Sequence, residues 1–173
     1  MFLPLLWSSK MSKELHELSI AEVSKLIRNR KVSPVELTKN CLSRIEQFNG
    51  KLNAFISIYE DEAIKQAKKA EREISKKNYR GPLHGVPIAI KDNIYFAKKI
   101  TTMGSKIHGT FVSDVDATVV TKLRDSGAVF LGKTNMHEYA LGATTDNPHY
   151  GTCRNPWHMG KIPGGSSGGS ASA

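Results

Sequence analysis

The sequence predicts a single α/β domain in which a β-sheet core is covered by helices. Three observations lead to this fold class: capped helical segments, short apolar runs between them, and the alternation of the two along the chain. With 173 residues, the chain is long enough to bury the core of one domain. Hydrophobic residues make up 39% and charged residues 24%, a composition that favours a globular protein over a disordered one.

Two helices with N-terminal caps begin the predicted fold. Residues 19–22 (SIAE) and 33–36 (SPVE) have the capping-box pattern, in which a serine and a glutamate bond to each other's backbone N–H groups. Pro34 occupies the favoured first position of the second helix. The apolar stripe of this helix consists of Leu37, Cys41, Ile45 and Phe48. We expect the helix to end at Gly50.

Strands and helices then alternate toward the C-terminus. The predicted strands are residues 54–58, 86–90 and 129–131, with a less regular one at 99–102. The predicted helices are residues 61–76, a helix from a cap at Asp116 to Gly127, and a short helix over 136–141. From Gly142 onward the chain reads as a long loop rich in Gly, Pro, Asn and Ser, and loops of this length are usually functional or disordered.

The net charge of +9 does not predict a nucleic-acid partner. Lysines and arginines are interleaved with glutamates, as on a solvated face, and no alternation of basic and aromatic residues suggests a platform for bases. The apolar start of the chain is too short to span a membrane and lacks the basic residues of a signal peptide. We expect residues 1–10 to be an upstream extension, Met11 to be an alternative start, and the protein to be cytoplasmic without a membrane partner.

Neither the cysteines nor the histidines form a metal or redox motif. Cys41 and Cys153 lack a Cys-x-x-Cys partner, so we expect reduced thiols, with Cys41 as a small core residue. His137 and Glu138 begin the zinc motif His-Glu-x-x-His, but Leu141 stands where the second histidine should be. We therefore expect no metal and no other cofactor.

Two segments could carry chemistry, and each has an alternative interpretation. Residues 164–170 (GGSSGGS) form either a flexible linker or a tight loop that presents hydroxyl and N–H groups to a small ligand. Lys91 ends an apolar strand. It either emerges into solvent, which is the commoner case, or is buried, and burial would lower its pKa until the neutral amine can act as a base. The residues alone leave both questions open.

A third segment matches the phosphate-binding P-loop, but in the wrong context. Residues 127–134 (GAVFLGKT) fit the pattern G-x-x-x-x-G-K-[ST]. Their interior is apolar and reads as a strand preceded by a helix, whereas a P-loop follows a strand and leads into a helix. We expect the match to be coincidental. A nucleotide binder stays an alternative, as does a non-catalytic interaction fragment.

Together, four segments resemble the amidase signature family. They are GPLHGVPIAIKDN (81–93), GKTNM (132–136), NPW (155–157) and PGGSSGGS (163–170). The resemblance extends from about Leu18 to the last residue, and the separation of Lys91 and Ser166, 166 − 91 = 75 residues, also fits the family pattern. It implies an α/β fold with a mixed β-sheet core covered by helices, of which this chain is the N-terminal part.

The resemblance implies a Ser–cis-Ser–Lys catalytic triad that acts on a small amide substrate. Lys91 would be the general base, and Ser166, preceded by a cis peptide bond, would be the bridging serine. Ser167 would support the hydrogen-bonded network. The backbone around Leu141 and Gly142 would line the pocket that binds the acyl group.

The nucleophilic serine of the triad lies, in the family, in a second Gly-Gly-Ser motif beyond position 173. We therefore expect residues 11–173 to be the N-terminal part of a single amidase domain, truncated before the nucleophile and inactive alone. Such a fragment would expose a sheet edge and apolar surface that the rest of the domain covers.

Within the family, two kinds of enzyme stay possible. A stand-alone amidase acts on small amides, whereas the glutaminase component of glutamyl-tRNA(Gln) amidotransferase releases ammonia from glutamine for its partner subunits. His137 stands where that glutaminase usually has Asp, and residues 147–151 (NPHYG) also look more like the stand-alone type. These two segments favour the stand-alone amidase.

Overall fold

A three-stranded mixed sheet organises residues 14–173, which are the residues described by the computed structural model. β1 (Phe55–Ile58) pairs antiparallel with β3 (Val129–Thr134), and β2 (Pro87–Lys91) pairs with β3 in parallel. The strand order is therefore β1-β3-β2, and every residue of the central strand is buried. The predicted α/β fold class with a mixed sheet is confirmed. The predicted extension (residues 1–10) and the alternative start after it lie outside the described residues.

The first two helices begin at the predicted caps. α1 (Ile20–Arg28) follows Ser19, whose hydroxyl oxygen accepts a hydrogen bond from the Glu22 N–H, while the Glu22 carboxylate accepts one from the Ser19 N–H. α2 (Pro34–Leu52) begins after Ser33, whose hydroxyl oxygen accepts hydrogen bonds from two backbone N–H groups. The capping pattern in the sequence therefore located both helix starts correctly.

The predicted end of α2 at Gly50 is wrong. The helix continues to Leu52, and Asn53 caps it in the left-handed conformation (φ 51°, ψ 41°), with its N–H donating to the Asn49 carbonyl at 2.7 Å. Asparagine tolerates this conformation better than most residues, so it takes the place of glycine as the cap. The Asn53 side chain also donates to the Tyr150 carbonyl at 2.7 Å, which ties the helix end to the C-terminal loop.

α3 (Glu60–Ser75) covers one face of the sheet and packs against α2 and β3. Its fully buried alanines belong to an apolar cluster of Leu42, Ala54, Phe55, Ala63, Ala67, Val129, Leu131 and Cys153. A second cluster joins the N-terminal helices to the end of α3 and consists of Val23, Ile27, Val32, Leu37, Ile74 and Val86. A third cluster consists of Ile90, Phe96, Val120 and Phe130. Because side chains alternate along a strand, β3 contributes to apolar clusters on both faces of the sheet.

α4 (Thr118–Asp125) lies where it was predicted, but Asp116 does not cap it. The cap residue is Ala117, because the Asp116 carboxylate accepts a hydrogen bond from the Ala97 N–H at 2.7 Å and pairs with Arg124 at 2.9 Å. The acid therefore joins the helix to the preceding loop instead of closing its first turn.

Two other predicted elements are shorter than expected. The less regular strand reduces to an isolated bridge between Ile100 and Val112. The helix predicted over 136–141 reduces to the 3-10 helix Glu138–Ala140, because Tyr139 adopts the left-handed conformation (φ 48°) and interrupts helical geometry.

The predicted C-terminal loop ends in a helix, α5 (Gly168–Ser172). The other 3-10 helices are Leu15–Glu17 and Lys106–His108. No helix in residues 14–173 combines the length and the apolar character needed to cross a membrane.

A groove of about 940 Å³ opens between α2 and the sheet, away from Lys91 and Ser166. Its apolar lining includes Cys41, Ile45, Phe48, Pro87, Ala89 and Leu131. Within the described residues, β2 pairs only with β3, so the apolar surface and sheet edge expected from the sequence are present. Cys41 is half-buried at this groove, and burial raises the pKa of its thiol.

Candidate active site

Lys91 and Ser166, 75 residues apart in the sequence, meet at the C-terminal end of β2. The Lys91 Nζ donates a hydrogen bond to the Ser166 Oγ at 2.6 Å. Lys91 is the last residue of the strand, and it is half-buried. Burial disfavours the ammonium form and lowers the pKa of Lys91. Of the two interpretations of this lysine, the partly buried one therefore applies.

Ser166 lies in a tight turn that packs against the backbone of a neighbouring loop. The Gly165–Ser166 peptide bond is cis, as the resemblance implies. A Cβ atom on Gly165 would come within 2.8 Å of the Gly142 carbonyl oxygen and of the Thr144 backbone nitrogen, so only glycine fits there. On the other side, the Ser166 carbonyl accepts a hydrogen bond from the His137 N–H at 3.1 Å.

The turn continues into α5, which is bonded to the end of β3. The Gly169 N–H donates to the Asn135 carbonyl at 3.0 Å, and the Ser170 hydroxyl lies 2.9 Å from the Thr134 hydroxyl, within hydrogen-bond distance. The glycine-rich segment is therefore held by hydrogen bonds and is not a free linker.

The residue after Lys91 has a different partner on the other side of the strand. Asp92 Oδ1 lies 3.3 Å from Lys133 Nζ, and the two side chains are 1% and 0% exposed. Lys133 Nζ also donates to the Ile94 carbonyl at 2.8 Å and to the Thr101 hydroxyl at 3.1 Å. Burial lowers the pKa of Lys133, and the Asp92 carboxylate opposes this shift.

The buried ion pair rules out the P-loop interpretation of residues 127–134. The Gly-Lys-Thr letters are the last three residues of β3, so they do not lead from a loop into a helix. Lys133 is enclosed and bonded within the domain, where it cannot reach a phosphate. The pattern match is coincidental, as expected.

The residues predicted to bind substrate lie beside the Lys91–Ser166 pair. The Gly142 carbonyl faces the turn at close range. The Leu141 side chain is 86% exposed and points into solvent. Ser167 is also exposed, and its side chain does not cap α5. The structure therefore brings the Gly142 backbone to the pair, whereas the side chains of Leu141 and Ser167 face outward.

Two groups that hold the turn were not predicted from the sequence. They are the His137 N–H and the Thr145 hydroxyl, and both bond to backbone atoms of the turn. A main-chain donor leaves no signal in residue type, and a threonine in a polar loop looks like any other. Among the described residues, no group of three His, Cys, Asp or Glu side chains could hold a metal ion, and both cysteines are free.

Comparison with known proteins agrees with the sequence motifs. The family model described as Amidase matches residues 36–173. The A-type subunit of glutamyl-tRNA(Gln) amidotransferase from Pseudomonas aeruginosa is 49% identical over 160 residues, which are 92% of this chain and 33% of that protein. Its counterpart from Legionella pneumophila strain Corby is 46% identical over 160 residues, 92% of this chain and 32% of that protein. The chain thus spans about a third of the length of the curated relatives it matches.

Solved structures show the same likeness in three dimensions. The native peptide amidase from Stenotrophomonas maltophilia has a TM-score of 0.83 and 38% identity, covering 91% of this chain and 34% of that one. A structure described as a vestigial protein complex that reveals the origins of an s-triazine catabolic enzyme has a TM-score of 0.87 and 36% identity, covering 90% and 34%. On the family match and these structural likenesses together, the chain belongs to the amidase signature family of hydrolases.

Proposed function

We propose that this chain supplies the general base and the bridging serine of a Ser–cis-Ser–Lys triad that hydrolyses a carboxamide. The observation that carries the proposal is the 2.6 Å hydrogen bond between Lys91 Nζ and Ser166 Oγ, which joins residues 75 positions apart. That distance suits direct proton transfer between the two groups. In this proposal, residues 11–173 are the N-terminal part of a single amidase domain, and the nucleophilic serine belongs to a later segment.

The proposed relay moves a proton from the nucleophile through Ser166 to Lys91. The neutral Lys91 amine accepts the Ser166 proton, and the Ser166 oxygen accepts the proton of the nucleophile as that serine attacks the amide carbonyl. The tetrahedral adduct collapses when the leaving nitrogen takes a proton back through the relay, which releases ammonia or an amine and leaves an acyl-enzyme. Water then hydrolyses the acyl-enzyme by the same route, so no cofactor is needed.

The surroundings of Lys91 support the role of a base. Because burial lowers its pKa, a larger fraction of Lys91 is neutral at a given pH than for an exposed lysine. Asp92 is the adjacent acid, but its carboxylate is engaged by Lys133 and by the Thr102 N–H. The acid that could stabilise the Lys91 ammonium is thus used elsewhere.

Leu141, Gly142 and Ser167 have supporting roles in this proposal. The backbone of residues 141–142 lines the acyl pocket, and the closeness of the Gly142 carbonyl to the turn supports that assignment. Ser167 follows the bridging serine directly and is exposed, so its hydroxyl is available to the network when substrate enters.

Glutamine is a second candidate substrate, with the chain as part of an amidotransferase glutaminase. Relatives named as this component of glutamyl-tRNA(Gln) amidotransferase are 42% to 49% identical to the chain, whereas the solved peptide amidase is 38% identical. This observation favours the amidotransferase component over the stand-alone amidase that His137 and residues 147–151 suggest. Partner subunits would then receive the ammonia, and the Lys91–Ser166 chemistry would be the same.

A chimera tests the proposed chemistry. Residues 14–173 replace the matched third of the Pseudomonas aeruginosa relative, and ammonia release is measured from L-glutamine and from small carboxamides such as benzamide. We expect Lys91→Met and Ser166→Ala each to lower kcat by about 10²–10⁴-fold. The control Ser172→Ala removes a buried hydroxyl from the same segment and should leave kcat nearly unchanged. Equal activity of Lys91→Met and the parent would refute the proposal.

The same chimera separates the substrates and tests the base. Turnover of L-glutamine alone, dependent on partner subunits, would select the amidotransferase. Since Lys91 must be neutral to act, kcat should rise with pH through the lowered pKa of Lys91, at a pH below the ordinary lysine value of about 10.4. The isolated 173-residue chain should release no ammonia, and turnover that Lys91→Ala abolishes would contradict the placement of the nucleophile outside it.

A further inference from the structure

Thr145 contacts both ends of the turn that carries Ser166. Its hydroxyl donates a hydrogen bond to the Gly164 carbonyl at 2.8 Å. The same oxygen accepts a hydrogen bond from the Gly168 N–H at 3.0 Å. One side chain therefore connects the residue two before Ser166 to the residue two after it, and the separation of the two ends depends on this hydroxyl.

The backbone of Thr145 has a conformation that threonine rarely adopts. Its φ angle is 54°, in the left-handed region that disfavours β-branched residues. Such a conformation persists only where the surrounding structure fixes it, and it is commonest at functional sites. Thr145 is completely buried, and its carbonyl accepts a hydrogen bond from the Cys153 N–H at 3.1 Å. The fold thus keeps an unfavourable conformation at the residue whose hydroxyl reaches both ends of the turn.

The residue at the start of α5 is matched to this arrangement. A Cβ atom on Gly168 would overlap the Thr145 side chain, so only glycine lets the helix begin in contact with the threonine. The contact places the Gly168 N–H directly at the Thr145 hydroxyl. Close packing and hydrogen bonding therefore act on the same pair of residues.

We propose that Thr145 is a positioning residue for the proton relay. By fixing Gly164 and Gly168 relative to each other, its hydroxyl holds the Ser166 Oγ at hydrogen-bond distance from the Lys91 Nζ. The inference rests on the proposed function of the Lys91–Ser166 pair. Thr145 does not touch the reacting atoms. Without its hydroxyl, a buried carbonyl and a buried N–H would lose their partner, and the turn would shift to satisfy them.

The test follows the Lys91 side chain by NMR in the 173-residue chain. Lysine is labelled with ¹³C, the Lys91 Cε resonance is assigned with Lys91→Arg, and Ser166→Ala defines its position when the bridging hydroxyl is missing. We expect Thr145→Val to move the resonance and its titration midpoint most of the way toward those of Ser166→Ala. Thr145→Ser keeps the hydroxyl and should keep the parent values, and Ser172→Ala serves as a control for loss of a neighbouring buried hydroxyl.

The outcomes separate a positioning role from a structural one. If Thr145→Val melts at a lower temperature but leaves the Lys91 resonance at the parent position, the proposal is overturned. If Ser166→Ala itself leaves that resonance unchanged, the Lys91–Ser166 contact is absent and the proposed function fails with it. If Thr145→Val does not fold, Thr145→Cys and Thr145→Ser differ by one atom. A shift in the cysteine variant alone supports the proposal, and identical spectra overturn it.

Discussion

The burial of Lys91 has a consequence for folding as well as for the proposed chemistry. Its pKa is lowered in the folded chain because burial disfavours the ammonium form. Between this lowered pKa and the ordinary value of about 10.4, the unfolded chain binds a proton that the folded chain has released. The contribution of Lys91 to the free energy of unfolding therefore rises with pH across that interval and is unfavourable below it.

Lys91→Met should therefore stabilise the fold at neutral pH. The substitution removes a cation that folding partly desolvates and keeps an unbranched side chain of similar length, at the loss of one hydrogen bond. We expect the free energy of unfolding at pH 7 to increase by about 0.5–2 kcal/mol, the range of single stabilising substitutions. Urea denaturation at several pH values measures the effect, with the exposed Lys161→Met as control. A lower urea midpoint for Lys91→Met than for the control would contradict the prediction.

At the residue scale, what could be predicted depended on whether a residue belongs to a motif. Lys91 and Ser166 were identified from the resemblance, since strand and glycine patterns alone left their roles open. Thr145 has no such signal, because its role depends on two backbone groups that lie 19 and 23 residues further along the chain. Lys133 gave a misleading signal, since its motif letters match a P-loop while its partners come from another segment.

At the scale of elements, the Asp92–Lys133 pair joins the ends of the two parallel strands. Lys133 lies near the end of β3, and Asp92 follows β2 directly. The Asp92 carboxylate also accepts a hydrogen bond from the Thr102 N–H at 3.1 Å, so it holds the following loop as well. Since Lys91 is the last residue of β2, the pair fixes the strand end from which the proposed base projects.

Breaking this pair from one side should be costly. Lys133→Met leaves the Asp92 carboxylate buried without its cation, and we expect it to lower the free energy of unfolding by about 3–5 kcal/mol. The double variant Asp92→Asn/Lys133→Met removes the buried charge and keeps an acceptor for the Thr102 N–H, so it should recover part of the loss. Urea denaturation measures all three proteins. A double variant less stable than Lys133→Met would show that the uncompensated charge is not the cause.

Element starts were predicted better than element ends, and the reason is physical. The Ser19 and Ser33 caps act on N–H groups two or three residues away, so a short sequence window contains the whole interaction. The end of α2 depends on Asn53, which bonds to Tyr150 almost a hundred residues later. Asp116 likewise bonds to Ala97 instead of capping its own helix. Such choices are made by the tertiary structure.

At the scale of the whole molecule, His84 lies where three parts of the fold meet. It is 1% exposed, and its Nδ1 accepts a hydrogen bond from the Arg80 N–H at 3.1 Å. Its Nε2 lies 3.1 Å from a Glu73 carboxylate oxygen of α3 but forms no hydrogen bond with it. Gly127, at the turn between α4 and β3, lies so close that a Cβ atom there would overlap the imidazole ring. Burial lowers the pKa of His84, although the Glu73 carboxylate opposes the shift.

The lowered pKa of His84 predicts that acid weakens the whole fold. As pH falls through the ordinary histidine value of about 6.5, the unfolded chain takes up a proton that the folded chain still excludes, so the free energy of unfolding declines between about pH 7 and pH 5. Glu73 acts at lower pH: burial would raise its pKa, but the hydrogen bonds from Arg80 outweigh burial and lower it, so its contribution is lost only below the ordinary glutamate value.

The variant His84→Asn tests this prediction, because its side-chain oxygen can still accept the Arg80 N–H while the titrating ring is gone. The variant should be less stable at every pH, since a smaller side chain leaves a cavity. The informative quantity is therefore the slope of the urea midpoint between pH 7 and pH 5, which should flatten in His84→Asn and persist in the exposed control His158→Asn. A slope in His84→Asn as steep as in the parent would assign the acid sensitivity to groups other than His84.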